Sequence, residues 1–133
     1  MKKLLVIGIA VLLSGCSTLF DSYLMKYDTN EYRIVTEIRS DAQGYKTACA
    51  NELLSVTNAE AIADKTRLFK LYSEHQPYNN PVIKASIELD KIAQGLKNQY
   101  NISKVSPMFC KIKFESIEHS AESMQKIIGA KPR

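Results

Sequence analysis

The chain has 133 residues, 45% of them hydrophobic and 24% charged, with a formal net charge of +4. That is the balance of one globular domain, and it excludes an extended disordered polyelectrolyte. Taking Lys2 and Lys3 from the 18 basic residues leaves 16 against 14 acidic ones, too small and too scattered an excess for a nucleic-acid-binding surface.

The first segment is Met1-Lys2-Lys3 followed by an uncharged apolar run over residues 4–13. This is the basic and hydrophobic layout of a secretory signal, and the run is too short to cross roughly 30 Å of hydrocarbon. At its foot stands Leu13-Ser14-Gly15-Cys16, followed by Ser17. These residues resemble the lipobox of bacterial lipoprotein precursors. The resemblance covers residues 1–16 and implies removal of residues 1–15 as a lipoprotein signal peptide. It also implies diacylglycerol and amino-terminal acyl chains, palmitate among them, on Cys16. A single acyl chain holds a protein to a membrane only marginally, and a triacylated cysteine supplies the additional anchoring. In enterobacterial members an aspartate after the cysteine retains the protein in the inner membrane. Ser17 therefore implies the outer membrane, at its periplasmic face. The other reading of the same residues is a plain signal peptide in which Cys16 is only an early cysteine.

Residues 16–27 form a lipidated, membrane-proximal tether without the Gly, Ser and Pro richness of a flexible linker. Phe20, Tyr23, Leu24 and Tyr27 recur at helical spacing. They either lie in the membrane interface or pack on the domain that follows.

Residues 28–133 carry apolar positions at threes and fours, so the expected fold is all-α: an antiparallel four-helix bundle with one disulfide, preceded by the lipoprotein signal peptide. Asp28 with Glu31 makes a capping-box pattern for the first helix, whose stripe is Ile34, Ile38, Ala42, Tyr45, Cys49 and Leu53. Gly44 inside it costs about 1 kcal/mol relative to alanine and marks a bend or a close contact. The second helix is expected to open at Thr57-Asn58-Ala59-Glu60 and to run through Ile62, Thr66, Phe69 and Tyr72. Asn80 and Pro81 start the third, with Val82, Ala85, Leu89, Ile92, Leu96 and Tyr100 on its stripe. Ser106 and Pro107 start the fourth, which presents Cys110, Phe114, Ile117, Ala121, Met124 and Ile128 before Gly129.

With Cys16 assigned to lipid, Cys49 and Cys110 are an even pair in an exported chain and predict one disulfide. In an up-down-up-down bundle the end of the first helix and the start of the fourth meet, which is where these cysteines lie. No metal is expected, since His75 and His119 match no zinc spacing with them. A catalytic Cys-His pair is the alternative use of the thiols.

Glu115, Glu118 and Glu122 share one side of the fourth helix and read as solvated acids or as a site for a cation or basic partner. The loop over residues 77–81 offers Tyr78, Asn79 and Asn80 as candidate partner-binding residues, against the plainer reading of a rigid connector. Lys131-Pro132-Arg133 reads as a frayed basic tail. With no catalytic constellation and no cofactor motif, the expected function is a noncatalytic protein-binding module, membrane-anchored through Cys16, with an envelope protein as partner. The alternatives are a helical lipoprotein holding an apolar ligand among Phe69, Phe114 and Met124, a phage- or plasmid-encoded exclusion or lysis lipoprotein, and a small envelope hydrolase.

Overall fold

The computed structural model describes residues 25–133. The signal peptide, Cys16 and tether positions Phe20, Tyr23 and Leu24 lie outside them. Four helices follow in order: α1 Thr29–Tyr45, α2 Glu52–Glu74, α3 Asn80–Ile102 and α4 Pro107–Gly129, with a 3-10 turn Lys46–Ala48 after α1. The helices form an antiparallel bundle in which each packs on its chain neighbours and α4 closes the ring against α1. The α1–α4 seam is the most extensive.

Local signals explain most helix ends. Asp28 is extended and its carboxylate accepts from the Glu31 amide at 2.7 Å, so it caps α1. Ser106 does the same for α4 through the Phe109 amide at 3.1 Å, with Pro107 in the first turn where no amide hydrogen is needed. The junction of α1 and α2 differs from the sequence expectation. The first helix stops at Tyr45, and Asn51 caps α2 by accepting from the Leu54 amide at 3.0 Å. Thr57 lies inside α2, where its hydroxyl donates to the Leu53 carbonyl instead of capping. Leu53, expected on the first stripe, is 78% exposed on α2. A methyl group at Gly44 would meet open space, so that glycine marks the last turn of α1 and no close helix contact.

The core is one cluster. All six expected α4 stripe residues are buried, and Phe69, Phe114 and Met124 pack within it beside Ile38, Ile62, Leu89 and Leu96. Ala85, Ile92 and Tyr100 pack at its edge, and Tyr45 meets Phe114 edge-on with ring centroids 5.7 Å apart. Cys49 and Cys110 are joined by a disulfide, with Cα atoms 5.8 Å apart. It ties the chain just beyond α1 to the first turn of α4.

Polar bonds fix the register of the helix pairs. Between α1 and α4, Arg39 donates to Gln125 at 2.9 Å and Gln125 donates to Thr36 at 2.8 Å. Between α2 and α3, Thr66 donates to Asp90 at 3.1 Å, Lys70 pairs with Asp90 at 3.1 Å, and Gln94 donates to the Ala63 carbonyl at 2.9 Å. Between α1 and α2, Lys65 pairs with Asp41 at 2.5 Å. Among the described residues no helix is long and apolar enough to cross a membrane.

Candidate functional site

The two ends of the bundle are chemically different. At the end where α1 begins, the chain's last residues return to close a buried polar cluster. Lys131 Nζ donates to Glu31 Oε2 at 2.5 Å and to Asn79 Oδ1 at 2.7 Å, and Asn79 Nδ2 donates to Glu31 Oε1 at 2.5 Å and to the Ser73 carbonyl at 3.2 Å. The Glu31 and Lys131 side chains are 0% and 2% exposed. Removing an ammonium and a carboxylate from water is costly, and the arrangement stands because each charge meets the other and the same amide. Next to it the Tyr27 amide donates to the Pro132 carbonyl at 2.8 Å, and the Arg133 guanidinium lies 5.2 Å from the Tyr27 ring centre. The terminal Lys131-Pro132-Arg133 segment is thus a packed clamp, which corrects its reading as a frayed tail. Tyr27, the one tether aromatic within the described residues, packs against the core.

The loop over residues 77–81 lies at this same end. Asn79 is buried and its side chain belongs to the cluster, so it is turned away from the accessible face expected of a partner-binding residue. It is also the residue that precedes α3, the place expected for Asn80, and its carbonyl accepts from the Val82 and Ile83 amides at 3.0 Å. Tyr78 and Asn80 remain exposed. Tyr78 has φ 58°, a left-handed backbone that costs a side-chain-bearing residue about 1 kcal/mol or more. Lys26, Gln76, Pro77, Tyr78 and Lys131 line a small cleft of about 230 Å³ there.

The carboxylates of α4 are largely committed within the domain. Glu118 pairs with Lys46 at 2.7 Å, and Glu122 pairs with Lys126 at 3.0 Å and Arg39 at 3.7 Å. The bond from Lys126 holds the Glu122 carboxyl below its usual range, and the bond to Glu118 holds the Lys46 ammonium above its own despite some burial. His119 is exposed, 4.0 Å from Glu122, and His75 is exposed where α2 ends. Among the described residues no group of three or more His, Cys, Asp or Glu converges as metal ligands would.

At the opposite end, the 3-10 turn and the start of α4 enclose an open groove of about 720 Å³. The disulfide residue Cys49 lies in its wall, together with Ala50, Pro107, Met108 and Lys111. Leu53 and Leu54 in the first turn of α2, Ile102 at the end of α3, and Met108, Phe109 and Ile112 on α4 all expose apolar side chains at this end. Of these the sequence pattern marks Leu53 alone, and marks it as inward, whereas Met108, Phe109 and Ile112 lie off a stripe already complete without them.

The sequence matches no protein-family model, no curated protein and no solved structure.

Proposed function

We propose that the protein is a lipoprotein of the bacterial envelope, acylated on Cys16 and held at the periplasmic face of the outer membrane, whose helical domain is a noncatalytic protein-binding module. The observation that carries the anchoring is Leu13-Ser14-Gly15-Cys16 at the foot of a short apolar run, with Ser17 after it. The Cys49–Cys110 bond supports export, because disulfides persist in oxidising compartments. The gathering of exposed apolar side chains at the disulfide end, beside a groove that Met108 lines, supports the protein-binding role. Between Cys16 and Met25, nine residues of sequence can span at most about 30 Å. Anchoring at Cys16 therefore keeps the Tyr27 end near the bilayer and leaves the disulfide end for contacts within the periplasm.

The test is the intact mass of the protein extracted from its native membrane, with and without inhibition of the lipoprotein signal peptidase, followed by separation of inner and outer membranes. A mature species beginning at a triacylated Cys16 in the outer-membrane fraction is the expected result. An unacylated species, or one soluble after cell lysis, would overturn the anchoring. Site-specific photocrosslinking along the domain in intact cells tests the binding role, which fails if no position yields a protein adduct.

A further inference from the structure

At the end of the bundle from which the chain runs back toward Cys16, one aromatic side chain is held out on a rigid mount. Tyr78 is 54% exposed and is the one non-glycine residue among those described whose φ is positive, 58°. Left-handed backbone is disfavoured for a residue carrying a Cβ, and such strain persists where the surroundings over-determine it. The surroundings here are Pro77 before it and Asn79 after it. Asn79 is 2% exposed, its side chain bonds to Glu31, Lys131 and the Ser73 carbonyl, and its own carbonyl accepts from the Val82 and Ile83 amides. With that neighbour fastened inside, the Tyr78 ring stays outside. Tyr78 also borders the cleft that Lys26 and Lys131 line, which places it beside the point where the chain leaves for Cys16. Met25 is only 7% exposed, so that point is fixed to the domain.

We infer that Tyr78 is a second membrane contact, its ring lodged at the boundary between lipid headgroups and acyl chains, and that it stands the bundle on its tethered end. The inference rests on the anchoring at Cys16 proposed above. Tyrosine suits that boundary, because its ring is apolar and its hydroxyl is polar. What selects a bilayer as the occupant is the length of chain outside the described residues and where it ends. Cys16 and Met25 are nine residues apart, at most about 30 Å, and the cleft that Tyr78 borders contains Lys26, the residue after Met25. A lipid surface is therefore within reach of this loop. The exposed charges at this end are mixed, Lys26 and Arg133 with Glu74, so the contact is made by the ring and not by net charge. The consequence concerns orientation. Helices α2 and α4, of 23 residues each, are about 34 Å long, comparable with the reach of the tether, so the tether alone leaves the domain free to turn over. A contact at Tyr78 holds the disulfide end away from the bilayer, with the groove beside Cys49 facing the periplasm.

The chain has no tryptophan, so a single substitution gives a clean fluorescent reporter. Tyr78→Trp and Met108→Trp, at opposite ends and both at exposed positions, are prepared as the acylated mature protein in vesicles of phosphatidylethanolamine and phosphatidylglycerol, with and without bromine on the upper acyl chains. Circular dichroism verifies that both variants fold. Tyr78→Trp should emit further to the blue than Met108→Trp and lose most of its emission to the bromine, which leaves Met108→Trp unaffected. Adding Tyr78→Ser to Met108→Trp should bring quenching to the disulfide end, because the bundle is then free to turn over. Quenching that is equal in the two single variants, or quenching of Met108→Trp that Tyr78→Ser leaves unchanged, overturns the inference. So does a Tyr78→Trp variant that floats with the vesicles yet escapes the bromine, a result that keeps the anchor. A protein that does not float overturns the anchor and the inference together. A photocrosslinker in place of Tyr78 that captures a protein in intact cells assigns this residue to that partner, which removes the bilayer contact and leaves the protein-binding reading standing.

Discussion

Lys131 and Glu31, a hundred residues apart in the chain, form an ion pair of 2.5 Å that is sealed from solvent. The pair joins the chain terminus to the first turn of α1, and Asn79 bridges it to the start of α3. Three separate segments are thereby held at one end of the bundle by groups that bond to one another.

Removing one partner leaves an uncompensated buried charge. Lys131→Met or Glu31→Leu should each destabilise the domain by about 3 kcal/mol or more, while the double substitution recovers much of the loss because neither charge is then stranded. Deleting residues 131–133 should cost at least as much as Lys131→Met, an outcome a disordered tail would not give. Urea denaturation of the four variants, read by circular dichroism, checks this.

The disulfide closes a loop with a sequence separation of 61. Chain entropy assigns such a loop about 4 kcal/mol of stabilisation. Replacing Cys49 and Cys110 by serine should lower the urea midpoint by a corresponding amount, with the slope altered by the less restricted unfolded chain. Reduction of the wild type should give the same shift, and a protein indifferent to reductant would contradict it.

Asp28 does two jobs, capping α1 and accepting from the Tyr72 hydroxyl at 2.9 Å. Asp28→Ala should therefore cost about 2 kcal/mol, above the typical value of about 1 kcal/mol for a cap alone. Tyr72→Phe should cost less, and a double-mutant cycle should show coupling between the two.

Tyr78 holds a left-handed backbone with its ring in solvent. Tyr78→Gly removes the steric penalty but adds freedom to the unfolded chain, so its stability should stay within about 1 kcal/mol of wild type. Tyr78→Val, branched at Cβ, should be clearly less stable than either. Thermal melts of the three proteins decide the order.

Stability should fall at both extremes of pH. Glu37 is held below the usual carboxylate range first by its hydrogen bond from Arg33, against some desolvation, and Glu122 by its bond from Lys126. A depressed folded value means that their contribution is present above the unfolded value near 4.5 and is lost as pH falls through the folded one. At the alkaline side, burial opposes the charge on Lys65, yet the bond to Asp41 and the nearby carboxylates outweigh it and raise the group above 10.5. Lys46 is raised by Glu118, Tyr45 by burial, and Tyr72 by burial and then by its bond to Asp28. Raised folded values give stability that is complete below about 10 and disappears as pH climbs through them. Urea midpoints from pH 3 to 11.5 should show a plateau bounded by these two limbs.

The sequence by itself determined what depends on neighbours three or four residues away. The α4 stripe, the caps Asp28 and Ser106, and the prolines that open α3 and α4 were readable in that way, and the pairing of Cys49 with Cys110, 61 residues apart, was readable from the cysteine count instead. At the start of α2, spacing pointed to Thr57, nearly two helical turns beyond Asn51, which caps the helix; both residue types cap, and only packing selects between them. The tertiary structure alone decided which polar residues go inside. Lys131, Asn79 and Glu31 are surface types whose burial is stable only when all three meet, and partners 48 to 100 residues apart leave no periodic trace in the chain. The apolar groove has the same origin. Met108 is unremarkable on a helix wheel, and it becomes a wall of the groove because the turn after α1 is fastened beside it by the Cys49–Cys110 bond.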